Sequence, residues 1–109
     1  MMPFAVHVTS AAAGDLEEIG DYIAGKDGPR RAQSVLIRIE QTVQALSALP
    51  ERGSYPRELL DFGIREYREV FFKAYRIIYR VVEGEVYVLV IADGRRDMRA
   101  LLERRLLGI

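Results

Sequence analysis

The sequence contains no cysteine, a single histidine and only two lysines. Without cysteine, a disulfide scaffold, a thiol nucleophile and a cysteine zinc site are excluded, and a reducing compartment is compatible. No apolar run approaches the ~20 residues that cross a membrane, and the start of the chain lacks the apolar core of a signal peptide. We therefore expect a cytoplasmic protein. No metal-ligand spacing or phosphate-binding loop is present, so no metal and no cofactor are predicted.

The 109 residues are half hydrophobic and 29% charged, which predicts one globular domain over residues 1–109. The net charge is zero but uneven. Residues 1–63 hold six basic and nine acidic side chains, a net of −3, whereas residues 64–109 hold ten and seven, a net of +3. Fourteen of the sixteen basic residues are arginine. Arginine recognises carboxylates and phosphates, so an anionic partner is one explanation of this bias, and codon usage is the other.

Hydrophobic periodicity predicts the element order β-α-α-β-β-β-α. A strand over residues 3–9 leads through a helix cap at Thr9 or Ser10 into a first helix, which the segment Gly25-Lys26-Asp27-Gly28 should end. A second helix begins at Pro29 and stops near Pro50. Strands follow over residues 64–72, 74–82 and 86–92, and a last helix over residues 96–107. This order predicts an α+β fold of two layers, with the helical hairpin packed on a mainly antiparallel sheet.

Arginines interrupt the apolar hairpin formed by the last two predicted strands. Side chains alternate between the two faces of a strand, so residues 75–82 divide into two sets. The more apolar set should meet the helices, and the arginine-bearing set should form an exposed face. The two sets are Tyr75, Ile77, Tyr79 and Val81 towards the helices, and Arg76, Ile78, Arg80 and Val82 away from them. The register of the preceding strand leaves open whether Arg65, Tyr67 and Glu69 or Glu66, Arg68 and Val70 share the arginine face.

Several short motifs follow one another along nearly the whole chain, and no single one is specific. They are Asp15-Leu16-Glu17-Glu18-Ile19 with Tyr22-Ile23, Leu49-Pro50 with Gly53, Gly63-Ile64-Arg65, Tyr67-Arg68, Tyr75-Arg76-Ile77-Ile78-Tyr79 and Gly94-Arg95-Arg96-Asp97. In their order and spacing they resemble the RelE/ParE family of bacterial type II toxins. The resemblance implies a toxin encoded beside a cognate antitoxin, whose disordered segment folds onto the toxin and blocks it.

The family contains two target classes. RelE-like members cleave messenger RNA on the ribosome, whereas ParE-like members act on DNA gyrase and are not known as nucleases. Arg76 resembles the arginine that binds the scissile phosphate in the nucleases, and Arg96 resembles a second one. Tyr67 and Glu69 stand where those nucleases carry lysines, and their C-terminal tyrosine or histidine is missing. The resemblance is therefore closer to the ParE branch, which implies a gyrase inhibitor that blocks replication rather than an enzyme.

Candidate site residues follow from this resemblance. Target binding is expected from Arg95, Arg96, Arg99, Arg104 and Arg105, and antitoxin binding from Leu16, Ile19, Tyr22, Val35 and Ile39. One alternative function is a ribosome-dependent endoribonuclease that uses Arg68, Arg76 and Arg96 to bind phosphate. Another is a non-toxic module that binds only its antitoxin. DNA would be reached only through the antitoxin. The expected docking sites for the antitoxin are a hydrophobic groove beside the helical hairpin and the sheet edges, since an exposed edge favours strand addition.

Structural interpretations of the same residues stand beside these functional ones. Arg76 and Arg80 could pair across the sheet with glutamates at positions 66, 69 or 85, each pair contributing about 0.2–1 kcal/mol. Arg95, Arg96 and Asp97 could form a salt-bridge cluster at a helix start. His7 is expected to be a surface strand residue, and the tyrosines are expected to lie mostly in the core with a solvated hydroxyl.

Overall fold

The computed structural model describes residues 3–108 of the chain. Strand β1 (Ala5–Val8) leads into helix α1 (Ser10–Asp27) and helix α2 (Pro29–Gln44), which continues as a 3₁₀ turn at Ala45–Ser47. The short helix α3 (Arg57–Leu60) precedes strands β2 (Arg68–Phe72), β3 (Tyr75–Val82) and β4 (Glu85–Asp93). Helix α4 (Met98–Leu102) runs into a π-helical turn at Glu103–Leu107. No helix within residues 3–108 is both long enough and apolar enough to span a membrane.

The four strands form one sheet in the order β1-β4-β3-β2. Strands β2, β3 and β4 are antiparallel neighbours, and β1 lies parallel to β4 at one edge. The turn between β3 and β4 uses positive φ at Glu83 (48°) and Gly84 (81°), as a tight hairpin requires. The predicted α+β architecture, with a helical hairpin on a mainly antiparallel sheet, is confirmed.

Local signals set the helical hairpin. The Thr9 hydroxyl accepts a hydrogen bond from the Ala12 amide at 3.3 Å and caps α1. The predicted break at Gly25-Lys26-Asp27-Gly28 is confirmed at its last residue, because α1 continues through Gly25 to Asp27 and ends at Gly28. Glycine inside a helix costs only about 1 kcal/mol. The helix ends where Gly28 adopts a φ of 95°, and Pro29 then begins α2 as predicted.

A first core lies between the hairpin and the sheet. The buried side chains of α2 and of the 3₁₀ turn meet the apolar face of β3 and β4, which confirms the helix-facing set at Ile77 and Tyr79. The largest fully buried members of this core are Ile39, Leu46, Ile77, Tyr79, Ile91, Val43, Val86 and Val88.

A second core covers the opposite face, which was expected to be open. Its members are Leu59, Tyr67, Ile78, Val90, Ala92, Met98, Leu101 and Leu102. A β-bulge in the β3–β4 ladder helps to form this second core. Ile78 pairs with Val90 and Tyr79 pairs with Val88, so Leu89 of β4 has no partner residue in β3. Leu89 and Val90 therefore both contribute to the second core. The prediction of an exposed face is wrong at Ile78, because α3 and α4 pack over it.

The element boundaries differ from the prediction in two further places. The connector contains α3, which was not predicted, and β2 begins at Arg68 rather than at residue 64. A turn closes α3 instead, in which the Ile64 amide donates to the Leu59 carbonyl at 3.0 Å and Gly63 adopts a φ of 74°. The last helix starts after the Asp97 cap rather than at residue 96, and it widens into the π-helical turn after Leu102.

Candidate functional site

Arg76 lies on β3, and its guanidinium is held between two carboxylates. Its Nε donates to Glu69 Oε1 at 2.7 Å, while Nη1 and Nη2 donate to the two carboxylate oxygens of Glu58 at 2.8 and 2.7 Å. Glu69 lies on β2 and Glu58 on α3. The Arg76 side chain is only 12% exposed. The expectation that Arg76 lies on an exposed face is therefore wrong, whereas its pairing with Glu69 is confirmed.

The electrostatics of this Glu58–Arg76–Glu69 cluster follow from one cation between two anions. The hydrogen bond from Arg76 lowers the pKa of Glu58 from 4.5 to about 2. Burial raises the pKa of Glu69, against the opposing effect of the Arg76 hydrogen bond. The hydrogen bond to Glu58 raises the pKa of Arg76. With all three groups ionised the cluster carries a net charge of −1, which repels a phosphate instead of binding it.

Arg68, at the start of β2, holds the connector that leads to α3. Its Nη1 donates to the carbonyl oxygens of Gly53 (2.9 Å) and Glu51 (3.3 Å), and its Nη2 donates to the Tyr55 hydroxyl at 3.2 Å. The guanidinium also lies 4.7 Å from the centroid of the Tyr55 ring. These contacts give Arg68 a structural role within the chain.

Four of the five arginines expected to contact the target lie exposed near α4, namely Arg95, Arg96, Arg99 and Arg104. Arg95 donates to the carboxylate of Asp93, not to Asp97 as the cluster interpretation expected. Arg99 donates to Asp61 at 3.0 Å and lies 5.6 Å from the centroid of the Phe62 ring.

Arg105 differs from these four, because its side chain turns inward. Its guanidinium donates to both carboxylate oxygens of Asp15 on α1, at 2.9 and 3.0 Å, and also to the Leu89 carbonyl at 2.9 Å. The side chain is 21% exposed. The expectation that Arg105 contacts a target directly is therefore not supported by its position.

The residues expected to bind an antitoxin separate into buried and accessible positions. Val35 and Ile39 lie in the first core, so neither presents its side chain to a partner. Leu16 and Ile19 are half-buried against that core. Tyr22 is 67% exposed, which corrects the expectation that it lies in the core.

A groove of about 380 Å³ lies beside Tyr22, between α1 and the end of β4. One wall is built from α1, and the arginines that follow β4 contribute the other. Its lining residues are Asp15, Glu18, Ile19, Tyr22, Tyr75, Ile91, Ala92, Asp93, Arg95 and Arg96. Burial, followed by the Asp93 carboxylate, raises the pKa of the Tyr75 hydroxyl. The structure thus places two of the predicted antitoxin-binding residues and two of the predicted target-binding arginines in one groove.

His7 occupies the surface of β1, as predicted. Its Nε2 lies 2.8 Å from the Glu85 carboxylate, and its ring stacks on Tyr87 with centroids 5.0 Å apart. Arg80 remains partly exposed, with Glu66 at 3.8 Å. These contacts confirm that His7 is a surface residue and that Arg80 pairs with Glu66.

Two residues near the site were missed by the sequence reasoning. Glu58 was unremarkable in a turn-rich connector, and it pairs with an arginine 18 positions away. Phe62 is 55% exposed beside Arg99. The sequence offered one indication that Phe62 is exposed. It stands between Asp61 and Gly63 in a turn-forming segment, where an aromatic side chain is not placed to pack into the core.

Comparison with solved structures shows the same fold. A chain of the chromosomal ParDE system of P. aeruginosa superposes with a TM-score of 0.71 at 24% identity, covering 83% of this chain and 95% of that one. A chain of the toxin–antitoxin complex RelBE2 from Mycobacterium tuberculosis superposes with a TM-score of 0.60 at 23% identity, covering 84% of this chain and 98% of that one.

Comparison of sequences is more specific. Toxin ParE3 of Caulobacter vibrioides is 31% identical over 97 residues, which cover 89% of this chain and 93% of that protein. The family model described as the ParE toxin of type II toxin–antitoxin systems, parDE, matches residues 6–98. The chain therefore belongs to the ParE toxin family.

Proposed function

We propose that this chain is a toxin that inhibits DNA gyrase and so blocks replication, and that a cognate antitoxin neutralises it. The engagement of Arg76 by two carboxylates is the observation that carries the choice of target. A nuclease of this fold would need that arginine free to bind the scissile phosphate. Here three of its N–H groups already donate to Glu58 and Glu69.

A second arginine that the ribonuclease alternative requires, Arg68, is also engaged within the chain. Arg68 donates to backbone carbonyls of its own chain, and of the three nuclease candidates only Arg96 is exposed. Stabilising a phosphoryl group requires preorganised positive charge at the reacting oxygen atoms. A cluster of net charge −1 supplies the opposite field, so these contacts favour the protein target over the RNA target.

The surface proposed to bind gyrase combines exposed arginines with one exposed aromatic ring. We define this arginine surface as Arg95, Arg96, Arg99, Arg104 and Phe62. Energetic hot spots of protein interfaces are enriched in arginine and aromatic side chains. Arg99 is already ordered by Asp61 and lies against Phe62, which reduces the entropy lost on binding.

The antitoxin is proposed to enter the groove between α1 and the end of β4. Ile19 and Tyr22 offer apolar and aromatic contacts on one wall, and Arg95 and Arg96 offer positive charge on the other. A peptide segment that fills this groove would bury part of the arginine surface. Neutralisation would then follow from occlusion of residues that the target also needs.

The first test is pulse-labelling after induction of this chain alone, comparing incorporation of thymidine and of amino acids. We expect DNA synthesis to fall first, and the purified chain to inhibit supercoiling by gyrase. The double variant Arg96→Ala/Arg99→Ala should lose both effects. The matched control Arg30→Ala/Arg52→Ala removes two exposed arginines outside the arginine surface and should keep both.

Three other outcomes of these experiments would contradict the proposal. An earlier fall in protein synthesis, with discrete cuts in messenger RNA, would assign the chain to the ribonucleases. Harmless expression would identify it as a non-toxic antitoxin-binding module. Full toxicity of the Arg96→Ala/Arg99→Ala variant would remove the arginine surface from the proposal.

A further inference from the structure

Strand β4 is longer than the strand beside it. Strand β1 pairs with β4 only from Ala5–Glu85 to Val8–Val88, whereas β4 continues to Asp93. The Thr9 amide donates to the Val88 carbonyl, and the chain then turns into α1. Beyond Val88, the edge of β4 therefore carries polar backbone groups for which β1 supplies no partner.

Two of these backbone groups are satisfied by side chains from distant parts of the chain. The Ile91 amide donates to Asp15 Oδ2 at 2.9 Å, and the Leu89 carbonyl accepts from Arg105 Nη2 at 2.9 Å. The same two side chains bond each other through two nearly equal hydrogen bonds. Together they present one acceptor and one donor to the strand, which is what a residue of a longer β1 would present.

The pair also joins three separate elements. Asp15 belongs to α1, Leu89 and Ile91 belong to β4, and Arg105 belongs to the π-helical turn after α4. No residue of that turn, 103–107, is fully buried, and its Leu106 and Leu107 are only partly buried against the second core. The side chains of Asp15 and Arg105 are only 12% and 21% exposed, so water screens their attraction less than that of a surface pair.

We propose that Asp15 and Arg105 form a positioning pair that replaces a missing strand residue beside β4 and fixes the C-terminal turn. Arg105 then acts on the arginine surface without touching the target. It sets the place of its neighbour Arg104 and of the end of α4. The role in positioning the arginine surface rests on the proposed function, whereas the role as a strand substitute does not.

The test of the strand substitute is amide hydrogen exchange, read by NMR on the full chain. In Arg105→Ala the Asp15 carboxylate loses the two hydrogen bonds that hold it beside β4, and in Asp15→Asn the uncharged amide oxygen is a weaker acceptor for the Ile91 amide. In both variants the Ile91 amide should therefore exchange about tenfold faster or more. The amide of Ile78, in the middle of the sheet, should keep its rate. Arg104→Ala changes an exposed arginine on the same turn and should leave Ile91 unchanged.

The charge exchange Asp15→Arg/Arg105→Asp separates a strand substitute from a simple ion pair. It keeps both charges but places a donor opposite the Ile91 amide, so we expect no recovery of protection there. Recovery would overturn the proposal, as would equal acceleration of Ile91 and Ile78 in Arg105→Ala, which indicates a loss of global stability only. Asp15→Asn decides the question if Arg105→Ala does not fold.

The test of the positioning role is inhibition of gyrase by the same variants. Arg105→Ala should weaken inhibition while accelerating exchange at Ile91, whereas Arg104→Ala should weaken it without that acceleration. Full inhibition by Arg105→Ala with accelerated exchange would overturn the positioning role. If the parent chain does not inhibit gyrase, the proposed function fails, and the exchange arm still decides whether the pair replaces a strand.

Discussion

Replacing Arg76 by methionine would keep an unbranched side chain and remove the cation that lies between Glu58 and Glu69. The Glu69 side chain is 7% exposed, so its carboxylate would be left buried without its partner. Breaking a buried pair in this way costs about 3–5 kcal/mol. Glu58 is 23% exposed and regains some hydration, which favours the lower end, about 3 kcal/mol. In a domain of this size the melting temperature should fall by about 12 °C or more.

The stability difference between Arg76→Met and the parent chain should also depend on pH, in a direction that the pKa shifts of the two glutamates determine. The pKa of Glu58 is lowered from 4.5 to about 2 in the folded protein. Its contribution to stability is therefore present above about pH 4.5 and is lost as the pH falls towards 2. Burial raises the pKa of Glu69, so protonation of that group favours the folded state. Without Arg76 this second effect dominates, and the difference in stability between Arg76→Met and the parent should shrink as the pH falls from 7 to 4.5.

The assay is urea unfolding followed by circular dichroism at both pH values. Arg80→Met is the matched control, because Arg80 lies 3.8 Å from an exposed glutamate and should cost at most about 1 kcal/mol. Adding Glu69→Gln to Arg76→Met should recover about 1 kcal/mol or more by removing the stranded charge. The reasoning is refuted if Arg76→Met costs no more than Arg80→Met. Toxicity per folded molecule should survive Arg76→Met, since Arg76 is not part of the arginine surface.

Further predictions concern backbone conformation and one buried hydroxyl. Gly28→Ala should destabilise the protein by about 1–3 kcal/mol, because φ at Gly28 is 95°. Gly25→Ala should stabilise it by about 0.5–1 kcal/mol, since Gly25 lies in α1 with nothing within 4 Å of an added Cβ. Thermal unfolding of the two variants tests these opposite signs. Tyr79→Phe should cost about 1–3 kcal/mol in urea unfolding, because the Tyr79 hydroxyl accepts from the Gly53 amide at 3.0 Å and donates to the Pro50 carbonyl at 2.7 Å.

Much of the fold was readable from local sequence patterns. The Thr9 cap, the proline that begins α2 and the apolar stripe of α2 each depend on neighbours within a few positions. Alternation along β3 correctly assigned Ile77 and Tyr79 to the helix-facing core. The same alternation failed to describe the other face, because covering it required α3 and α4, whose packing depends on contacts between distant parts of the chain.

For the candidate site, too, some features follow from the sequence alone and others depend on the tertiary structure. By itself, the sequence determined the order of the elements, the concentration of arginine towards the C-terminus and the absence of the nuclease side chains, because these depend on composition and short-range spacing. Only the tertiary structure decided which arginines are free. Arg76 is engaged by a glutamate from α3, and Arg105 by an aspartate 90 positions away in α1. A guanidinium binds whichever carboxylate the fold brings within about 3 Å, and sequence spacing does not encode that distance.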